Sequence, residues 1–504
     1  MNPLVSREFE PPPPVVDPDG NSCSGTSGRP NPADNLMTPF DRLNLDFLPD
    51  DPQGIFLVGG TVRDLIAGRS PTDFDLVVLG DVVQVAAKIA AKTGGRIVNL
   101  GQKGFDCLRV VSPQTSIDIT PLTHPSIEVD LLNRDFTINA MAYNVTSHCL
   151  LDGCGGLMDL QRRTVRMVSA NAFENDPVRL VRAYRMAATL GFSLSAETRA
   201  AIGKHHHRIT TVAAERVWSE LLKIFNAQAS APHIRDMATS GLLTALFPEL
   251  NPTIGCTQNR HHRWDVFDHS LRTYGQLETL LSARDNLFSK DAAMGGQAGW
   301  LDHAGVLKYS ALLHDVGKPP TRQVDPRGAV RFPGHAAKGA QIAAGISRRL
   351  RLSNRQRIAA DAVIRHHIRP LFLFLAAQNQ TLGHSGMVRF FNHCGDMTRS
   401  IVAHAMADIS AKNDLHGDRD QAFIAFCRRL ITTYDDYVNR RAQVPPLISG
   451  RDLIEVFGLT PCPDFRKILQ RVDLGRLSGE LTSRDQALKW VAAYLGRSMP
   501  HAEA

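Results

Sequence analysis

The hydrophobic pattern of this 504-residue chain changes period once, near residue 171. From about residue 45 up to that point, short β-rich runs alternate with helical stretches, at 54–58, 73–79, 82–92, 96–99, 108–111 and 116–120. Beyond it the apolar spacing is helical to the end, interrupted by loops near 252–262, 285–300 and 318–334. Such a chain folds as a small α/β head on a long helical body, an α+β protein of several domains. Residues 1–44 stand outside this scheme. Four consecutive prolines at 11–14, followed by Gly, Ser, Asn and Asp, cannot build a core and predict a disordered N-terminal extension.

Composition narrows the class. Hydrophobic residues at 43% and charged residues at 21% are ordinary for a soluble globular protein, and no membrane-length apolar run or signal peptide is visible. The net charge of +7 and a pI near 9.0 suit a nucleic-acid partner. Eight scattered cysteines without a CxxC pair predict free thiols in a reducing cytoplasm and give a zinc ribbon no support.

The densest chemistry lies in residues 56–78, FLVGGTVRDLIAGRSPTDFDLVV. An apolar run breaks at Gly59-Gly60 and resumes as a helix-like segment containing Arg63. A strand, a glycine turn and a helix N-terminus together offer backbone N–H groups to phosphate. Then Asp73 and Asp75, two apart on one strand, point to the same face and repel each other unless a cation lies between them. Asp118, on the apolar strand SIDITPL, is the candidate third carboxylate. A strand pair of carboxylates with a third from a neighbouring strand is what two Mg²⁺ ions need to activate a hydroxyl and hold a triphosphate.

These motifs carry a resemblance. With NRDFTINAMAYN (133–144), LLDGCGGLMDLQRRTVRMV (150–168), NDPVRLVRAYRMAATLGF (175–192) and AERVWSELLKI (214–224), the chain resembles the class II tRNA nucleotidyltransferases. This family comprises CCA-adding enzymes and bacterial poly(A) polymerases. The resemblance implies a polymerase-β-like nucleotidyltransferase head over residues 45–170 and a helical neck over 171–245 that reads base and RNA. Asp73, Asp75 and Asp118 become the catalytic carboxylates, with Mg²⁺ on Asp73 and Asp75. The nucleotide site comprises Gly59, Gly60, Arg63, Arg134, Asp135, Asn139, Asp176, Arg179, Arg182 and Arg185. CTP, ATP and the tRNA 3′ end are the implied partners.

Arg134 and Asp135 fall where the family contacts ribose, and a buried ion pair bracing the head is a compatible reading. Asp152 and Asp159 flank a glycine-rich turn and read as structural. Asp176 and Arg179, one helical turn apart, can face one ligand edge. Cytosine and adenine both set an exocyclic amine beside an unprotonated ring nitrogen, so Asp accepts from one and Arg donates to the other. Uracil and guanine invert both groups. The bland alternative makes Asp176 an N-cap ahead of Pro177. Arg179, Arg182 and Arg185 form a basic stripe at spacing three, for phosphates or for solvent.

Two departures from the family are visible: Asn175 replaces a Glu, and Asn133 replaces an Arg. The connection at 121–132 is also short and lacks the family's Arg, as in relatives that add only CC.

A second constellation follows. HRWDVFDHSLRTY (262–274), ALLHDVGKPPT (311–321), FPGHAAKGAQIA (332–343), VIRHHIRP (363–370) and AMADIS (405–410) place histidines and carboxylates on several helices. Buried ionisable groups of this kind need something to bind. The set His269, His314, Asp315, His335, His366 (or its neighbour His367) and Asp408 resembles an HD-domain phosphohydrolase over 246–435, holding a divalent transition metal or Mg²⁺. The tract 205–207 reads as surface, and His261 and His262 as loop residues. A helical tail over 436–504 shows no chemistry. The expected activity is addition of C, A or both to tRNA; poly(A) synthesis and a primary HD phosphohydrolase are the alternatives. No membrane partner is expected, and the oligomeric state is left open.

Overall fold

The computed structural model describes residues 40, 45–71, 73–101, 107–258, 263–282, 304–412 and 417–496. His261, His262 and the expected N-terminal extension lie outside the described residues, with one exception. Phe40 is buried and stacks on Tyr143 with ring centroids 4.1 Å apart.

The chain divides into two compact units, residues up to Thr123 with Ala142–Leu151, and His124–Met141 with Asp152 onward. The first is built on a seven-stranded sheet of order β3-β4-β5-β2-β1-β6-β7. Its strands are β1 (Ile55–Val58), β2 (Asp73–Val78), β3 (Arg96–Asn99), β4 (Leu108–Val111), β5 (Ser116–Pro121), β6 (Ala142–Asn144) and β7 (Cys149–Leu151). Only β2 and β5 run parallel; every other neighbouring pair is antiparallel. All four residues of β1 are buried, as expected for an unbroken apolar run between two partners. The β3 edge is short and wholly exposed. The helix Val82–Thr93 starts on the Asp81 side chain, which accepts from the N–H groups of Val83 and Gln84, and stops at Gly94 with φ +63. It buries Val82, Ala86 and Ile89 and packs on β4 and β5.

The second unit is helical, with two small strand pairs. Thr164–Val165 runs beside Ser193–Leu194, and Gln323–Val324 with Val330–Arg331 forms a hairpin inside the expected 318–334 loop. Helix Val266–Ser282 packs against Ala304–Leu313 and Thr398–Ala411, and His335–Arg349 packs on Asn354–His366. Trp218, Phe225, Phe247, Tyr274 and Tyr309 are linked by ring contacts of 5.4–6.2 Å into one aromatic core. Beneath it Lys308 donates to Glu278 (2.6 Å) and to the Ala227 carbonyl (2.7 Å), which satisfies a buried cation. A separate small core around Leu453, Ile468, Val472 and Val491 closes the C-terminal helices. Among the described residues no helix is long and apolar enough to cross a membrane, and seven cysteines are free thiols.

Candidate functional site

In the first unit, β1 passes straight into the helix Gly59–Ile66, whose first residue has φ +64. That conformation is cheap only for glycine. A Cβ on Gly60 would lie 3.7 Å from Asp75 Oδ2 and 3.5 Å from the Arg63 guanidinium, so the bare glycine backbone runs beside the carboxylate. Thr61, buried under the turn, accepts from the Asp75 N–H at 2.8 Å and donates to the Asp73 carbonyl. Arg63 forks onto Asp64 at 2.9 and 2.8 Å.

Asp73 and Asp75 share the face of β2 opposite the buried Phe74. Asp118 stands directly across from Asp75 in the parallel register. The sequence reading had no place for Arg109, the β4 residue opposite Asp118, which grips both Asp118 oxygens at 2.5 and 2.6 Å. That bidentate pair raises the Arg109 pKa. Asp118 therefore enters the site already carrying a counter-ion.

In the second unit, residues 134–139 are fixed by main-chain bonds to the segment 166–168. Asp135 accepts from the Phe136 N–H (2.8 Å) and from Asn139 Nδ2 (3.0 Å), and receives Arg182 at 3.4 Å. Arg134 folds back onto Asp130, one turn earlier, at 3.0 Å. Asn133, at the family's Arg position, donates to the Val129 carbonyl at the end of helix Ile127–Leu132.

Arg179 and Asp176 both have protein partners. The Arg179 guanidinium donates to the carbonyls of Asn133 (2.8 Å) and Arg134 (3.2 Å), and burial lowers its pKa. Asp176 takes the Val178 N–H on one oxygen and Arg216 on the other at 2.8 Å. Arg182 and Arg185 converge on the two oxygens of buried Glu220, at 3.3 and 2.9 Å. Arg182 and Arg185 of the basic stripe are thus held in an ion-pair network with Glu220 and Asp135, and Arg179 is held by main-chain carbonyls. Asp152 and Asp159 are also structural: Asp152 accepts the N–H groups of Gly156 and Leu157, and Asp159 is buried against Thr137 and Arg166. The tract 205–207 is not all surface. His205, at the end of its helix, is buried and lies 3.7 Å from Glu174.

The HD constellation converges further. Among the described residues, donor groups with ligand atoms within 4.8 Å of one another are His269–His314–Asp315 and Asp315–His335–His367. Asp315 is their shared member, and its two oxygens face opposite ways. Oδ2 lies 3.0 Å from His314 Nε2 and 3.8 Å from His269 Nε2, whereas Oδ1 lies 3.5 and 3.8 Å from His335 and His367 Nε2. Asp408 stands beside the first group, 2.8 Å from His269 Nε2 and 3.9 Å from His314 Nε2.

His314, His335 and His367 each turn Nδ1 onto the carbonyl three residues earlier, at 2.8, 2.9 and 2.7 Å. Those contacts assign the proton to Nδ1 and leave Nε2 as a lone-pair donor. Burial takes the His367 pKa down to about 3, keeping it neutral. Of the histidine doublet, His367 joins the cluster and His366 does not. One residue along a helix rotates a side chain by about 100°, and His366 accordingly meets His393 at 3.2 Å instead. Lys318, also unassigned in the sequence, places its ammonium 2.6 Å from Asp315 Oδ2.

The residues fit divalent cations: hard carboxylate oxygens on β2, and neutral imidazoles with carboxylates in the HD cluster.

Three family profiles match: the poly A polymerase head domain at residues 55–166, a probable RNA and SrmB-binding site of polymerase A at 191–254, and the HD domain at 266–382. The chain is 31% identical over 453 residues to an A-adding tRNA nucleotidyltransferase of Deinococcus radiodurans, covering 88% of this chain and 96% of that one. It is 29% identical over 459 residues to a CC-adding tRNA nucleotidyltransferase of Thermus thermophilus, covering 90% and 96%. In fold it resembles the Thermotoga maritima CCA-adding enzyme complexed with tRNA, with TM-score 0.57 and 20% identity over 88% of this chain and 91% of that one.

Proposed function

The chain belongs to the tRNA nucleotidyltransferase family, and on that premise we propose that it extends tRNA 3′ ends without a template, adding the two C residues. Its workplace is the cytoplasm, where its thiols stay reduced. The domain reading follows the sequence pattern: head 45–170, neck 171–245, HD region 246–435 and tail 436–504.

Asp73 and Asp75 hold the cations, with Asp118 as third carboxylate beside them. Mg²⁺ bound there would lower the pKa of the attacking 3′-hydroxyl and offset charge on the leaving pyrophosphate. Gly59 and Gly60 present backbone to the triphosphate, and Arg63 lies next to it. Asp135, held by Asn139, and Arg134 sit at the ribose position. Asp176 and Arg179 choose the base, which requires each to exchange its present partner for the nucleotide. Arg182 and Arg185 support that pair through Glu220. Replacing Arg179 or Asp176 by alanine should raise UTP and GTP incorporation relative to CTP by roughly 10² or more, because a mismatched buried hydrogen-bond pair no longer rejects them. Competition assays with each labelled triphosphate read this, and unchanged selectivity in both variants would return Asp176 to a turn residue.

The observation that favours CC over CCA addition is the segment before the ribose motif. A switch from C to A needs a lever that shifts the base-reading pair slightly. Here residues Ile127–Leu132 are helix, Asn133 ties its end to Val129, and Arg134 is pinned to Asp130. Little chain is left to swing. Purified protein should add CC rapidly to tRNA lacking its terminus, and ATP onto tRNA ending in CC more slowly by about two orders of magnitude. Rapid ATP addition to tRNA ending in CC, with none of CTP, would instead make it A-adding, the activity named for the Deinococcus relative. Both activities together would restore full CCA addition.

The HD cluster supports a second, metal-dependent phosphoesterase activity. Asp315 bridges two donor groups whose cations would grip a phosphate, and Lys318 supplies a further positive charge beside it.

A further inference from the structure

His404 belongs to no motif, yet it is the histidine whose placement is hardest to explain. It is fully buried, and neither ring nitrogen has a hydrogen-bond partner. A polar group so placed is normally satisfied by something. Its ring centroid is 4.8 Å from that of His314 and 5.6 Å from that of His367. With metal–nitrogen bonds of about 2.1 Å, two imidazoles on one ion stand with centroids about 4.6–5.3 Å apart. The His314–His404 pair falls inside that range, and His269 and His314, read as ligands of the same ion, stand 5.4 Å apart.

His404 also lies in helix Thr398–Ala411, one turn before Asp408. Residues four apart share a helix face, the spacing by which a single helix gives one ion two ligands.

We propose that His404 is a direct ligand of the cation held by His269, His314, Asp315 and Asp408, giving that ion a fifth protein donor. The proposal rests on the reading of His314 and Asp315 as metal ligands. A site so crowded with protein donors leaves little room for solvent. It would hold its ion tightly beside a more open one at Asp315, His335 and His367.

The test uses the full chain carrying Asp73→Ala and Asp75→Ala, which removes the other cation site. Mn²⁺ is titrated in, and free ion is followed by its paramagnetic resonance signal. His404→Leu, which fills the same space, should weaken the tighter Mn²⁺ site at least tenfold. In excess EDTA it should melt at or above the parent temperature, since a buried unpaired polar group has gone. If the leucine variant does not fold, His404→Gln carries the same comparison. Unchanged Mn²⁺ affinity in the folded variant overturns the inference and leaves the HD reading standing. Mn²⁺ binding that survives His314→Ala with Asp315→Asn overturns the HD reading, and the inference with it.

Discussion

Asp75→Ala should abolish nucleotide incorporation, by roughly 10³-fold or more, because charge on the transferring phosphate loses several kcal/mol of stabilisation. Asp73→Ala should behave alike. The expectation is sharp because main-chain bonds and a buried phenylalanine hold this end of the strand. Thr61 clips this end of β2 through main-chain atoms of Asp73 and Asp75, and Phe74 between them carries the buried contact. Both variants should therefore melt close to wild type. Labelled CTP and tRNA lacking its terminus read the effect; either variant keeping more than a few per cent of wild-type incorporation would refute the assignment.

The second large effect is expected at Asp315. Asp315→Asn keeps the size of the side chain while removing the charge shared by both donor groups. It should eliminate tight metal binding in the HD region and any phosphoesterase activity on small phosphoesters and 2′,3′-cyclic ends. Asparagine is preferred to alanine because deleting one member of a buried charge group commonly costs about 3–5 kcal/mol, and His314 and Lys318 both depend on this carboxylate. Nucleotide addition should stay within about threefold of wild type, since its carboxylates are on β2 and β5 and their chemistry is independent of the HD ligands. Parallel loss of both activities in a folded variant would contradict that independence.

Metal uptake at the HD site should also depend on pH, with a definite sign. Burial alone would lower the His314 pKa, but Asp315 outweighs it and the net shift is upward. Below that raised value a proton occupies the ligand nitrogen and competes with the cation. Affinity should accordingly be lower at about pH 6 than at about pH 8. His367, held near 3, contributes nothing across this window.

The head was legible because two periods agreed there: alternation paired Asp73 with Asp75, and the strand around Asp118 was apolar enough to place beside them. Arg109 was not, because which β4 residue faces Asp118 is a matter of register, and register is not written in one strand. The same limit applies to Arg182 and Arg185. Spacing along their own helix suggests a surface stripe, whereas Glu220 arrives from another helix and turns them inward. At the histidine doublet the two candidates are chemically identical, and helix phase alone chooses His367. His404 did carry a local signal, its four-residue distance from Asp408, but without a family motif around it that spacing is too common to stand out.

The aromatic core of the second unit bears on how this chain can be divided. Trp218 and Phe225 come from the stretch read as neck, and Tyr274 and Tyr309 from the stretch read as HD region. Trp218 also donates to Gln356, whose side chain accepts from the N–H of Ser353, the N-cap of a helix in the HD region. A fragment ending at residue 245 would be cut through a shared interior and would expose those rings to water. The stretch that carries Asp176 and Arg179 and the one that carries the HD cluster thus draw on one body of packing: a gene encoding the first alone would have to repaint that face before its product could stand by itself.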